Sequence, residues 1–122
     1  AEIFSNQNPH SATFRIYLPD CFQRNSSHHN RQNIQLYDKR KTFGLAGEDK
    51  VFTSGETPTL VEFKGWRINL QICYDLRFPE LTANRLASDG SSKFDLILYV
   101  ANWPEKRQEH WNTLLKARAI EN

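Results

Sequence analysis

Apolar and polar side chains alternate from residue 12 to 18, the period of a half-buried strand. The pattern returns at Ile34–Lys39, where Ile34 and Leu36 point one way and Gln35 and Tyr37 the other. That second strand delivers Lys39 to its end, and the polar run 25–33 before it reads as a loop. Gly44, Gly47, Gly55 and Pro58 then mark irregular chain and turns. Two more strands follow, Thr59–Phe63 and Arg67–Cys73, joined by a tight turn at Lys64-Gly65. The second alternates Ile68, Leu70 and Ile72 against Asn69, Gln71 and Cys73, so Cys73 closes the strand on its more polar side.

Past Pro79, residues 80–87 suit a helix with proline in its first turn, where a missing N–H costs nothing. Phe94–Ala101 is almost continuously apolar, as expected of a strand buried on both faces of a helix-covered sheet. The last element is a helix from Pro104 onward. It carries Glu105 early and Lys116 and Arg118 late, in agreement with the helix dipole, and sets Trp111, Leu114, Leu115 and Ala119 on one face. This order of elements predicts one layered α/β unit.

Composition narrows the function classes. At 39% hydrophobic and 25% charged residues, the chain is an ordinary globular one. Its 16 basic and 14 acidic residues leave a net charge of +2, too little for the basic stripe that nucleic acid or an anionic membrane requires. No run approaches a membrane span and the first residues lack a signal-peptide layout, so a cytoplasmic location is expected. Cys21 and Cys73 do not make a disulfide framework and read as reduced thiols. The sequence contains no Met and stops within a helical pattern, which suggests a piece of a longer chain.

A thiol at a strand exit suits a nucleophile, because the turn can expose sulfur while the next backbone N–H groups point at a developing oxyanion. Cys73 holds that position, although a lone cysteine in an apolar strand also reads as a small core residue. Lys39 near such a thiol would lower its pKa and stabilise an oxyanion; otherwise it is one surface charge in Asp38-Lys39-Arg40-Lys41. Asn102 and Trp103 follow the apolar strand at its carboxyl end, where open α/β sheets bind ligands, and Trp103 could equally pack against the last helix. His110 admits a Cys–His alternative with Cys73. Cys21, His28, His29 and His10 fit no zinc-ligand spacing, and no metal or cofactor is expected.

Four ordered blocks carry a family resemblance: Tyr37-Asp38-Lys39-Arg40 with Phe43, Ile72–Glu80 (ICYDLRFPE), Tyr99–Pro104 (YVANWP) and Ala117–Asn122 (ARAIEN). Residues 37–122 resemble the central segment of the nitrilase superfamily of carbon–nitrogen hydrolases, most closely its bacterial omega-amidase-like branch. The resemblance implies a four-layer α-β-β-α sandwich paired into homodimers, with residues 34–122 part of a single domain and 1–33 poorly matched. It also implies a Glu–Lys–Cys triad that cleaves a small amide through a thioester. Lys39 and Cys73 match the lysine and cysteine. The glutamate belongs to a segment before these blocks and is assigned to no residue, Glu2 included. A further family glutamate, on the loop after the lysine, resembles Glu48. By the same analogy the N–H of Tyr74 and Lys39 hold the oxyanion. Arg77 is expected to pair with Asp75 and brace the turn, with a substrate carboxylate as its alternative partner, and Arg118 is expected to pair with Glu121. Lys41-Thr42 departs from the His-Leu of many relatives. The rival reading is a non-catalytic protein or fragment that keeps the fold and lacks the glutamate.

Overall fold

The computed structural model describes residues 13–18 and 33–122. Strand β1 (Thr13–Leu18) pairs antiparallel with β2 (Asn33–Asp38), in a register from Thr13 opposite Asp38 to Leu18 opposite Asn33. A second sheet has the order β3 (Leu60–Phe63), β4 (Trp66–Ile72), β5 (Leu96–Val100). β3 and β4 form the expected hairpin. Lys64 and Gly65 both take positive φ, 50° and 81°, which matches the turn to the right-handed twist of the strands. β4 and β5 run parallel, so their carboxyl ends, at Ile72 and Val100, open on the same edge.

The core joins both sheets: Tyr37 of β2 clusters with Val61 of β3 and Leu70 of β4, and Ile68, Ile72 and Val100 pack around them. On β2 it is the Tyr37 side of the alternation that turns inward, while Leu36 is exposed. On β4 the polar side is as buried as the apolar one, because Asn69 and Gln71 satisfy one another (Gln71 Nε2 to Asn69 Oδ1, 2.8 Å).

Three expectations need correction. Residues 80–87 form no α-helix; a single 3₁₀ turn, Pro79–Leu81, is all that develops. Asn84 explains why. Its side chain donates to the carbonyl of Phe94 (2.9 Å) and accepts from the N–H groups of Lys93 and Phe94, clamping this segment onto the entry to β5 instead of onto its own backbone. Second, β5 is not buried on both faces, since Leu96 and Leu98 are exposed. Third, the last helix begins later than Pro104: a 3₁₀ turn, Glu105–Arg107, leads into α1 (Gln108–Glu121). Trp111 of α1 packs edge-on against Tyr99 of β5 (centroids 6.3 Å apart). The inward position in its last turns is Arg118, not Ala119, because the guanidinium donates twice to the carbonyl of Leu76 (2.9 and 3.2 Å) and pairs with Glu121 as expected. No helix among the described residues is long and apolar enough to cross a membrane.

Candidate active site

The site lies at the shared carboxyl edge of β4 and β5. Cys73 follows β4 directly and opens a 3₁₀ turn, Cys73–Arg77, with φ of +47°. A non-glycine residue in the left-handed region costs about 1–3 kcal/mol and survives only where its surroundings dictate it. Here it makes the chain reverse sharply, so the thiol projects at the tip of an elbow, the geometry used to present nucleophiles.

Around the thiol is a cavity of about 160 Å³, whose lining includes Phe43, Glu48, Cys73, Tyr74, Arg77, Asn102, Trp103 and Arg107. Six of these were sequence candidates, drawn from three separate stretches of chain. Among the described residues Glu48 is the one carboxylate in that lining. Lys39 lies just behind it, 3% exposed, with its ammonium ion-paired to the Glu48 carboxylate. The same Glu48 oxygen accepts the N–H of Phe43 at 2.7 Å, so the loop after β2 folds back to hold its own carboxylate over the lysine. Gly55 allows this return. Its N–H donates to the carbonyl of Lys39 (2.8 Å), and a Cβ there would stand 2.5 Å from the carbonyl oxygen of Asp38.

Burial pushes the Cys73 thiol above its ordinary pKa, and the Glu48 charge adds to this; the Lys39 ammonium and backbone hydrogen bonds from Asn102 and Tyr74 pull the other way. Lys39 thus acts on the thiol in the expected direction, but desolvation outweighs it. A resting thiol of this kind carries its proton and needs a base to become a nucleophile.

The geometry changes several assignments. Asp75 does not pair with Arg77. Its carboxylate accepts from the Tyr37 hydroxyl (2.9 Å) and from the N–H groups of Lys41 (2.8 Å) and Ile72 (3.0 Å). Arg77 instead lies over the Trp103 ring (5.6 Å) and beside Nδ1 of His110 (3.3 Å). His110 itself is exposed and lines a different cavity, so it does not join Cys73. Trp103 lines this cavity and also packs, tilted, against Trp111 of α1 (5.1 Å) while donating to the carbonyl of Arg107 (2.8 Å). No cluster of three metal-ligating side chains occurs among the described residues, and Cys21, His28, His29 and His10 lie outside them. Lys41, at the departure from the family pattern, sits over Phe78 (4.6 Å) and near Glu80 (3.6 Å), away from the cavity lining.

Sequence reasoning missed Arg107, whose place in the lining has no local signal. It also missed the Tyr37–Asp75 link, although each partner stands two residues from a singled-out one, Tyr37 before Lys39 and Asp75 after Cys73.

At one sheet edge the chain thus brings together a thiol on a left-handed elbow, a buried lysine paired with a partly exposed glutamate, and backbone donors to the sulfur. The chain belongs to the carbon–nitrogen hydrolase family, whose model matches residues 24–122. It is 52% identical to an omega-amidase, YafV, of Yersinia enterocolitica, over 73% of this chain and 32% of the relative. To a 2-oxoglutaramate amidase of Paenarthrobacter nicotinovorans it is 42% identical, over 70% of this chain and 30% of that one. Among solved structures it superposes on XC1258 of Xanthomonas campestris, a CN-hydrolase superfamily protein with an arsenic adduct in its active site. The TM-score is 0.70 at 52% identity, covering 73% of this chain and 34% of that one. A mutant amidase of Nesterenkonia sp. AN1 that has added acrylamide at its active-site cysteine matches at a TM-score of 0.58 and 30% identity, over 72% and 33% of the two chains. The expected α/β fold of the nitrilase superfamily is thereby borne out, and the chain spans about a third of the length of these relatives.

Proposed function

We propose that the protein hydrolyses the C–N bond of a small linear amide through a thioester on Cys73. The observation that carries this reading is the elbow thiol at the mouth of a pocket backed by the Lys39–Glu48 pair. In the proposed cycle the family's triad glutamate takes the thiol proton and Cys73 Sγ attacks the amide carbon. Lys39 and the N–H of Tyr74 stabilise the resulting oxyanion. The tetrahedral adduct collapses with the proton passing to nitrogen, ammonia leaves, and the acyl group stays on sulfur. Water then attacks the thioester, giving the acid and restoring the thiol. Glu48 holds the Lys39 side chain in place through their ion pair; the raised thiol pKa is the reason a base is needed at all.

For the substrate, we favour the monoamide of a short dicarboxylic acid, in line with the activities named for the omega-amidase and 2-oxoglutaramate amidase relatives. Arg77 and Arg107, both in the cavity lining beside Asn102 and Trp103, supply the positive charge that a free carboxylate would meet. A chemistry that depends on a free thiol fits a cytoplasmic setting, and a homodimer is the expected assembly, to be checked by sedimentation.

The test is ammonia release from a dicarboxylic monoamide and from a neutral amide of equal length. Arg77→Ala should raise KM for the first by at least about 10-fold, the scale of one lost charge-assisted hydrogen bond, and leave the second nearly unchanged. Equal effects on both substrates would remove the carboxylate-recognising role. Lys39→Ala should lower kcat about 100-fold or more, as loss of an oxyanion donor does, and wild-type rates in that variant would exclude the mechanism.

A further inference from the structure

The reaction as proposed makes no use of Asp75, yet this carboxylate is fully buried and stands where the two halves of the site meet. Lys39 and Cys73 come from different elements, one from the end of β2 and the other from the end of β4. Asp75 joins those ends: one oxygen accepts the N–H of Lys41, two residues after the lysine. The other accepts both the hydroxyl of Tyr37, two residues before the lysine, and the N–H of Ile72, immediately before the cysteine. Tyr37 is anchored further by a contact with Gln71 Oε1 (3.3 Å), on the strand that leads into the elbow.

We infer that Asp75 is a positioning residue, whose three hydrogen bonds set the placement of the Lys39 ammonium relative to the Cys73 elbow. The inference rests on the reading of Cys73 as nucleophile. The chemistry of the bonds makes the role specific to a carboxylate. Two of the three partners are backbone N–H groups, which can only donate, and they reach different oxygens. An Asn at this position has one acceptor oxygen, so in either orientation its NH₂ meets a backbone N–H and one of the two ties is lost. The tie to Lys41 fixes the lysine side of the site and the tie to Ile72 fixes the cysteine side, so losing either releases one half from the other. Displacement of a reacting group by about 1 Å can cost about 100-fold in rate.

The experiment uses the full-length protein, measuring kcat and KM for an amide together with the pH dependence of Cys73 alkylation by iodoacetamide, read on its own peptide. Four variants are compared with the wild type: Lys39→Ala, Asp75→Asn, their double mutant and Tyr37→Phe. The charges acting on the thiol are those of Lys39 and Glu48, so a change at Asp75 should reach it through the lysine. Expected results are an upward shift of the Cys73 profile in Lys39→Ala, a shift in the same direction in Asp75→Asn, and no further shift in the double mutant. In Asp75→Asn kcat should fall between about 10- and 100-fold while KM stays within about 2-fold. Where Asp75→Asn does not fold, Tyr37→Phe serves: it removes one donor without changing charge and should give a smaller loss of kcat in the same direction. A lower melting temperature with unchanged kcat and an unchanged Cys73 profile would overturn the inference and leave Asp75 as a structural group only. Additive shifts in the double mutant would overturn it too. If Lys39→Ala itself moves neither the profile nor kcat, it is the reading of Cys73 and Lys39 that fails, and the inference falls with it.

Discussion

Two aspartates hold opposite edges of the three-stranded sheet, and they differ in everything except their chemistry. At the amino edge Asp95 accepts from the backbone N–H, Nε and Nη2 of Arg67 (2.9, 3.0 and 2.7 Å), tying the start of β4 to the start of β5 in open solvent. At the carboxyl edge Asp75 also accepts three hydrogen bonds, none from a cation, on a side chain with no exposed surface. The arginine beside Asp95 draws its pKa down to about 2, whereas burial pushes that of Asp75 up from 3.8 despite its three donors. The difference shows where the molecule accepts a cost. The amino edge is held by an exposed clip, whereas the carboxyl edge sustains a buried carboxyl group, a left-handed cysteine and an internal lysine, the arrangement that the proposed function calls for.

The sharpest way to break this contrast is to neutralise each aspartate in turn. Asp75→Asn should cost about 3 kcal/mol near neutral pH, since it leaves a buried N–H without a partner inside a coupled network; denaturant melting measures it. Next in size, Gly55→Ala should cost about 2 kcal/mol, because its Cβ would press on backbone that cannot yield as a side chain can. That variant should also slow turnover, as the displaced backbone is that of Asp38 and Lys39. Asp95→Asn should be the mildest change, with a small drop in melting temperature and no change in kcat, as for other exposed ion pairs.

The pH dependences should run in opposite senses. Asp95 has a folded pKa below its ordinary 3.8, so its contribution is present above that value and disappears as pH falls towards 2. The stability gap between wild type and Asp95→Asn should therefore close across that window. For Asp75 the folded pKa is raised, so above 3.8 the folded chain retains a proton that the unfolded chain releases. Its contribution is fully present below 3.8 and declines as pH rises through the folded value. A gap for Asp95→Asn that widened on acidification would contradict the assignment.

The same contrast explains what could be read from the sequence. The hairpin, the Cys73 strand exit and the last helix follow from local signals: period-two alternation, a Lys-Gly turn, and charges arranged along a dipole. Four spaced motifs then gave the family, and with it Lys39 and Glu48, which no spacing could have brought together. What stayed illegible depends on tertiary hydrogen bonding. The inward turn of Tyr37, the burial of Asn69 and Gln71, and the partners of Asp75 all invert the rule that polar side chains face water. Residues 80–87 failed as a helix for the same reason, since Asn84 bonds to a strand entry ten residues away in preference to its own turn.

The proposed cycle stands or falls on covalent acylation of Cys73. Rapid acid quench of the full-length protein turning over a dicarboxylic monoamide, followed by peptide mass analysis, tests it directly. The expected result is the mass of the acyl group on the peptide containing Cys73, none on that containing Cys21, and no ammonia release by Cys73→Ala. Turnover that persists in Cys73→Ala, with no adduct on the wild-type peptide, would contradict it.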